Sequence, residues 1–167
     1  PNAWQPHHYL GRIDLQRRRP DAALAHFRDA ARLDPKSAEH RHLVGRALRA
    51  LGREGEAERA YAAALALDPW HLGARLGRGS ALRALGRKKE ARVELAEHAR
   101  RSALVDRIEF GRRGVRLNPA HAPNWVLLAR AYIAAERWVE ARMALEEATR
   151  LDADTPGLDE TRARLPR

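Results

Sequence analysis

Few side chains in this 167-residue sequence have the types and spacing that chemistry requires. Glu94 and His98 stand four apart and would share one helical face, half of the geometry of a bundle metal site. Such a site needs several ligands converging, so a solvated pair is the favoured reading. His7, His8, His40 and His42 form a loose N-terminal group that fits adventitious metal binding rather than a dedicated centre. Cysteine is absent, which removes thiolate metal sites and disulfides. The stretch GRGSALRALGRKK has a loose likeness to a phosphate-binding loop, but six residues separate Gly79 from Gly86, arginine precedes Lys88 and no Ser or Thr follows. Gly73 and Gly77 make a G-x-x-x-G, which joins helices inside an apolar span, yet they lie among arginines. No catalytic residue, cofactor or metal is expected, and the chain reads as a binding protein rather than an enzyme.

What the sequence has in quantity is positive charge. The net charge is +10, and Lys36, Lys88 and Lys89 are the only lysines, so arginine carries nearly all of it. Charge spread evenly gives solubility and weak attraction to anything acidic, and only clustering makes a site. One cluster is plain in the sequence: Arg17, Arg18 and Arg19, then Arg53, then Arg87, Lys88 and Lys89. No window approaches the length of an apolar membrane span. Methionine occurs only at Met143, which is read as a sign of excision from a longer chain, leaving the compartment open with the cytoplasm preferred.

These residues need elements to position them, and a periodic punctuation supplies those elements. Leu33-Asp34-Pro35 and Leu67-Asp68-Pro69 are the same tripeptide 34 residues apart. Proline drives the preceding residue out of the helical region and has no N–H to continue the ladder, so each tripeptide is a helix stop, with Leu33 and Leu67 as the last buried residues. Counting the same interval back from Pro35 reaches Pro1. Between these stops stand Leu10-Gly11, Ala23, Phe27 and Ala30, then Val44-Gly45, Ala57, Tyr61 and Ala64 at identical offsets. Trp125, Leu128-Ala129, Tyr132, Ala141, Leu145 and Ala148 repeat them once more. Small residues (Gly11, Gly45, Gly79; Ala23, Ala57, Ala91, Ala141) let paired helices approach. Phe27, Tyr61, Leu95 and Leu145, one turn beyond each alanine, fill the space between them. Leu51-Gly52-Arg53 and Leu85-Gly86-Arg87 supply turn glycines, whereas Arg17-Arg18-Arg19-Pro20 and Ala135-Glu136-Arg137 do not.

This pattern resembles the tetratricopeptide repeat, a 34-residue unit of two antiparallel helices. The expected fold is all-α: a right-handed superhelix of about eight to ten helices without strands. Residues 1–167 would form one domain, with units at about 4–37, 38–71, 72–105 and 122–155 and a C-terminal cap over 156–167. The cap would start at Asp154 or Thr155 with Pro156 in its first turn and Leu158 and Leu165 as anchors. Pro69 and Pro119 are 50 residues apart, sixteen more than one unit, and Leu104, Ile108, Gly111 and Val115 keep a helical period through the excess. An inserted or extended helix is expected there between the third and fourth units, unbroken or kinked once near Arg101 to Ser102, and covering or bending the array.

The resemblance also implies where binding occurs, because the first helix of each unit lines the concave groove of such arrays. The groove residues would be His8 and Arg12; His42, Arg46 and Arg49; Ser80 and Arg83; and Arg130. Arginine suits bidentate contact with carboxylates, so the expected partner is an acidic peptide or protein face. The asparagines and lysines with which some family members grip a C-terminal carboxylate are missing. The alternatives are a nucleic-acid-binding array using the basic turn edge, with Tyr9 the only aromatic near the groove for stacking, or the regulatory arm of an enzyme.

Overall fold

A computed structural model describes residues 3–166; Pro1, Asn2 and Arg167, including the first step of the proline period, lie outside the described residues. The described residues are all helical, without strands, and contain nine helices: α1 (Gln5–Gln16), α2 (Pro20–Leu33), α3 (Ala38–Ala50), α4 (Glu54–Leu67), α5 (Leu72–Ala84), α6 (Lys88–Leu117), α7 (Ala122–Ala134), α8 (Trp138–Leu151) and α9 (Leu158–Arg162). They fall into two compact units, one up to Ala99 and one from Arg100, and the 30-residue helix α6 contributes to both. No helix among the described residues is long and apolar enough to cross a membrane.

The helix stops follow from the sequence. Asp34 (φ −132°, ψ 82°) and Asp68 (φ −135°, ψ 97°) are extended ahead of their prolines. Six residues after each proline a side chain ties back to that proline's carbonyl: Arg41 to Pro35 (3.3 Å), Arg75 to Pro69 (3.0 Å) and Trp125 to Pro119 (2.8 Å). Two residue types therefore perform one task at the tryptophan position of the repeat. The hairpin turns share a hydrogen bond that satisfies an otherwise orphaned carbonyl: Arg19 to Asp14, Arg53 to Leu48, Arg87 to Leu82 and Arg137 to Tyr132. That closure requires a left-handed residue, which Gly52 and Gly86 adopt freely, while Arg18 (φ 58°) and Glu136 (φ 57°) adopt it at a cost.

In the first unit Phe27 and Tyr61 are fully buried among Ala23, Leu24, Leu43, Ala47, Leu48, Ala57 and Ala64. Tyr61 is gripped from two helices, since a Cβ on Gly45 of α3 would lie 2.7 Å from its ring and one on Gly77 of α5 2.5 Å. Gly77, which the sequence places only in an idle G-x-x-x-G, is thus a packing residue. The second unit has its own core of Leu104, Ile108, Val126, Leu128, Tyr132, Leu145 and Leu158. Gly111 lets α6 approach α7, because a Cβ there would stand 3.0 Å from the Leu128 Cα.

Two expectations are corrected. Leu33 and Leu67 are 38% and 42% exposed rather than the last buried residues: they end their helices at the edge of the layer, where no following turn covers them. Neither Asp154 nor Thr155 caps the last helix, which starts after the left-handed Gly157 (φ 78°); Thr155 is buried and donates to the Asp152 carbonyl instead. Leu158 is buried, and Leu165 packs against the second core in part.

Candidate interaction surface

In the first unit α1, α3 and α5 carry the residues expected to line a groove. Arg12 of α1 and Arg46 of α3 converge on one cavity of about 260 Å³ with Leu15 and Gln16. Neither guanidinium has an acidic partner among the described residues. Arg83 of α5 is likewise exposed without an ion pair among them, and Ser80 beside it is half-buried. Arg49 is shared: its Nε stands 3.5 Å from Glu54 Oε2, and with Arg46 it opposes the burial that pushes the Tyr61 hydroxyl above its ordinary pKa. In the second unit Arg130 is already engaged, donating from Nε to Thr161 Oγ1 (2.9 Å) with Nη2 3.7 Å from Glu160. The structure therefore brings Arg12 and Arg46 together, half-commits Arg49, and hands Arg130 to α9.

The histidines are buried more deeply than a loose group would be. His40 is 2% exposed, packs on Trp4 (4.8 Å between centroids) and His8 (5.5 Å), and its Nδ1, 3.9 Å from Asp34, has no hydrogen-bond partner. His71 Nδ1 accepts from the Ala74 amide at the start of α5 (3.1 Å), so the neutral ring carries its proton on Nε2 and donates it to Glu39 (3.0 Å). His42 lies against His71 (4.8 Å) and Tyr61 (5.6 Å). Burial, followed by His71 and Arg46, lowers its pKa to about 4 against a countering pull from Glu39. Burial also lowers the pKa of His8, helped by His40 and Arg12. His7 turns away toward His26 (3.5 Å) and Asp29 (3.7 Å). No three histidine or acidic side chains among the described residues are placed to hold a metal ion.

The basic turn edge is partly neutralised. Arg53 grips Glu56 with two hydrogen bonds (2.7 and 2.8 Å), and Arg87 grips Glu90 likewise (2.7 and 2.6 Å). Arg137 does the same to Glu140 in the second unit. These arginines hold the three glutamates below the usual carboxylate range. The signal was in the sequence as Arg-x-x-Glu at the start of α4, α6 and α8. Arg17, Arg18, Arg19, Lys88 and Lys89 stay exposed without ion pairs among the described residues. Glu94 does not pair with His98; it takes Arg75 (2.9 Å) and Arg78 (2.7 Å), and Arg78 also binds Glu58 (2.9 Å), tying α4, α5 and α6 together. Sequence spacing gives no sign of this network because its members come from three helices. Gln16 was missed as a lining residue, though it stands one turn from Arg12.

A family model for the tetratricopeptide repeat matches residues 10–69 and 45–103. The chain belongs to the tetratricopeptide repeat family. Solved tetratricopeptide repeat structures share its fold. MamA (41-end) from Desulfovibrio magneticus RS-1 is 24% identical with a TM-score of 0.56, over 98% of this chain and 86% of that one. TTC0263, a thermophilic protein of Thermus thermophilus, is 24% identical with a TM-score of 0.50, over 95% and 79%. YrrB, described as having an unusual peptide-binding site, is 18% identical with a TM-score of 0.53, over 97% and 75%. No curated protein sequence matches the chain significantly. Tetratricopeptide repeat proteins generally serve as protein–protein interaction scaffolds.

Proposed function

We propose that this chain is a non-catalytic scaffold that binds an acidic peptide or protein segment along α1, α3 and α5 of its first unit. The observation that carries this reading is the convergence of Arg12 and Arg46, both without acidic partners among the described residues, on one cavity beside Gln16. Unpaired guanidiniums held within reach of each other favour an anionic visitor, and Gln16 adds a neutral donor and acceptor for the peptide backbone. Arg83 extends the positive strip to α5, and Arg49 can leave Glu54 when a stronger acid arrives. The peptide-binding site named for YrrB fits this reading by analogy. Nucleic acid at the turn edge is less well supported, since Arg53 and Arg87 there already hold glutamates.

The test is fluorescence anisotropy with a labelled Asp/Glu-rich peptide. Replacing Arg46, Arg49 and Arg83 by glutamate should abolish binding and leave the helical circular dichroism unchanged, because none of the three is in the core. Equal affinity in the parent and the triple variant would refute the reading.

A further inference from the structure

The 34-residue register leaves one hairpin of the second unit incomplete. From Pro69 to Pro119 the chain falls 18 residues short of two full units, and 18 residues is also the distance from Pro35 to Arg53 and from Pro69 to Arg87. That span is the connection, first helix and turn of a hairpin. The C-terminal part of α6 therefore corresponds to the second helix of a hairpin whose first helix is missing.

Side-chain burial agrees with this position by position. His26, Ala60, Glu94, Phe110 and Ala144 are equivalent in the register. His26 is covered by His7 and Asp14 of α1, Glu94 is held by Arg75 and Arg78 of α5, and Ala144 is buried. Phe110, at the same register position, is 68% exposed. Three residues earlier, Ala23, Ala57, Ala91 and Ala141 are all buried under their paired helices, while Arg107 is exposed. On α7, Leu127 is 42% exposed, whereas its equivalent Leu43, which follows a complete hairpin, is 1% exposed. Between Phe110, Leu127 and Ala131 lies an apolar groove of about 440 Å³, flanked by Arg107 and Arg130.

We propose that this groove is the seat for one amphipathic, acidic α-helix supplied by a partner protein, which completes the hairpin that the chain leaves unfinished. The seat fixes the visitor's form. The first helices of the chain's own hairpins are 12 or 13 residues long, and α1, α3 and α5 each turn a glycine (Gly11, Gly45, Gly79) onto the bulky residue opposite. The partner helix is thus about three and a half turns, with a leucine over Phe110 one turn before its small residue, since the equivalents His26 and Glu94 meet His7 and Arg75, each one turn before the glycine of its helix, the helix-in-groove mode of recognition. Asp106 is the only acid among the lining residues, so acidic side chains on the visitor's flanks meet Arg107, and Arg130 through Nη1, which its contacts from Nε to Thr161 and from Nη2 to Glu160 leave over. The seat lies wholly in the second unit and stands independently of the arginine-lined surface of the first.

The probe is a fluorescein-labelled, hydrocarbon-stapled 14-residue helix with Leu, Gly and Leu on successive turns of one face and Glu elsewhere, titrated into the full chain. Saturable binding is expected, weakened about tenfold or more by Phe110→Asp or Leu127→Asp, the loss of an anchor in a groove. A peptide with Lys in place of Glu should bind more weakly, and the Arg46, Arg49 and Arg83 triple variant should bind as the parent does. Phe110→Ala, with circular dichroism, separates loss of the anchor from unfolding. Absence of saturable binding, or binding indifferent to Phe110→Ala and Phe110→Asp, would overturn the proposal. So would a chain that sediments as a dimer and becomes monomeric on Phe110→Asp, since a second copy would then own the seat.

Discussion

At the scale of single residues, the molecule shows where one position is asked to do two things. Arg18 and Glu136 close their turns in a left-handed conformation that costs an L-residue with a side chain roughly 1 kcal/mol, and Gly52 and Gly86 show what the same turn does without that cost. Arg18→Gly and Glu136→Gly should each stabilise the chain by about 0.5–1 kcal/mol in urea denaturation. That these turns exist was legible from the neighbouring units; which residue would accept a positive φ was not, because Arg17, Arg18 and Arg19 are alike in sequence. His42 carries the opposite burden. Its folded pKa of about 4 lies below the ordinary value of 6.5, so at intermediate pH the unfolded chain binds a proton that the folded chain refuses. Its contribution is complete above pH 6.5 and is lost as pH falls toward 4, by about 3 kcal/mol in all. Glu39 attenuates the loss and Arg46 and His71 deepen it. The denaturation midpoint should therefore drop between pH 7.5 and 5, and His42→Gln should flatten that dependence; a variant with the parent's slope would remove His42 from the account.

At the scale of elements, the hairpin is held by three recurrent devices, and their legibility differs. The small-on-large contacts, Gly11 on Phe27 and Gly45 on Tyr61, could be read from spacing because period and residue size specify them together. The Arg-x-x-Glu pairs are legible in the same way, because an acid three residues after an arginine lies on the same helical face and needs no tertiary structure to meet it. The Arg75, Arg78, Glu94 and Glu58 network could not be read, because its members meet only once α4, α5 and α6 are stacked. Burial separates these last two devices energetically. Glu94 is 13% exposed and satisfies two guanidiniums, so Glu94→Ala leaves Arg75 with its bond to the Pro69 carbonyl and Arg78 with Glu58, and should cost about 1.5–3 kcal/mol. Glu56→Ala removes a solvated pair with ideal geometry and should leave the unfolding midpoint nearly unchanged. Thermal unfolding of the two variants side by side checks the ranking, and equal losses would contradict it. The exposure of Leu33 and Leu67 belongs here too: a helix stop tells where a helix ends, and not whether a neighbour covers its end.

At the scale of the whole molecule, a net charge of +10 attracts any polyanion at low salt, so bulk affinity alone cannot locate a site. What distinguishes the proposed surface is which arginines are free. Arg53, Arg87 and Arg137 are engaged by glutamates, Arg130 by Thr161 and Glu160, and Arg75 and Arg78 by the interhelical network, which in the first unit leaves Arg12 and Arg46 facing a cavity. Half of that selection was visible in the sequence as the ladder of arginines; the other half required the acids to be seen beside them. The most direct measurement is therefore the titration of an Asp/Glu-rich peptide into the full chain while the arginine Nε–H resonances are followed by NMR. The account predicts that Arg12 and Arg46 shift first and saturate together, with Arg53 and Arg87 unmoved. Shifts confined to Arg17, Arg18 and Arg19, with Arg12 and Arg46 silent, would contradict it.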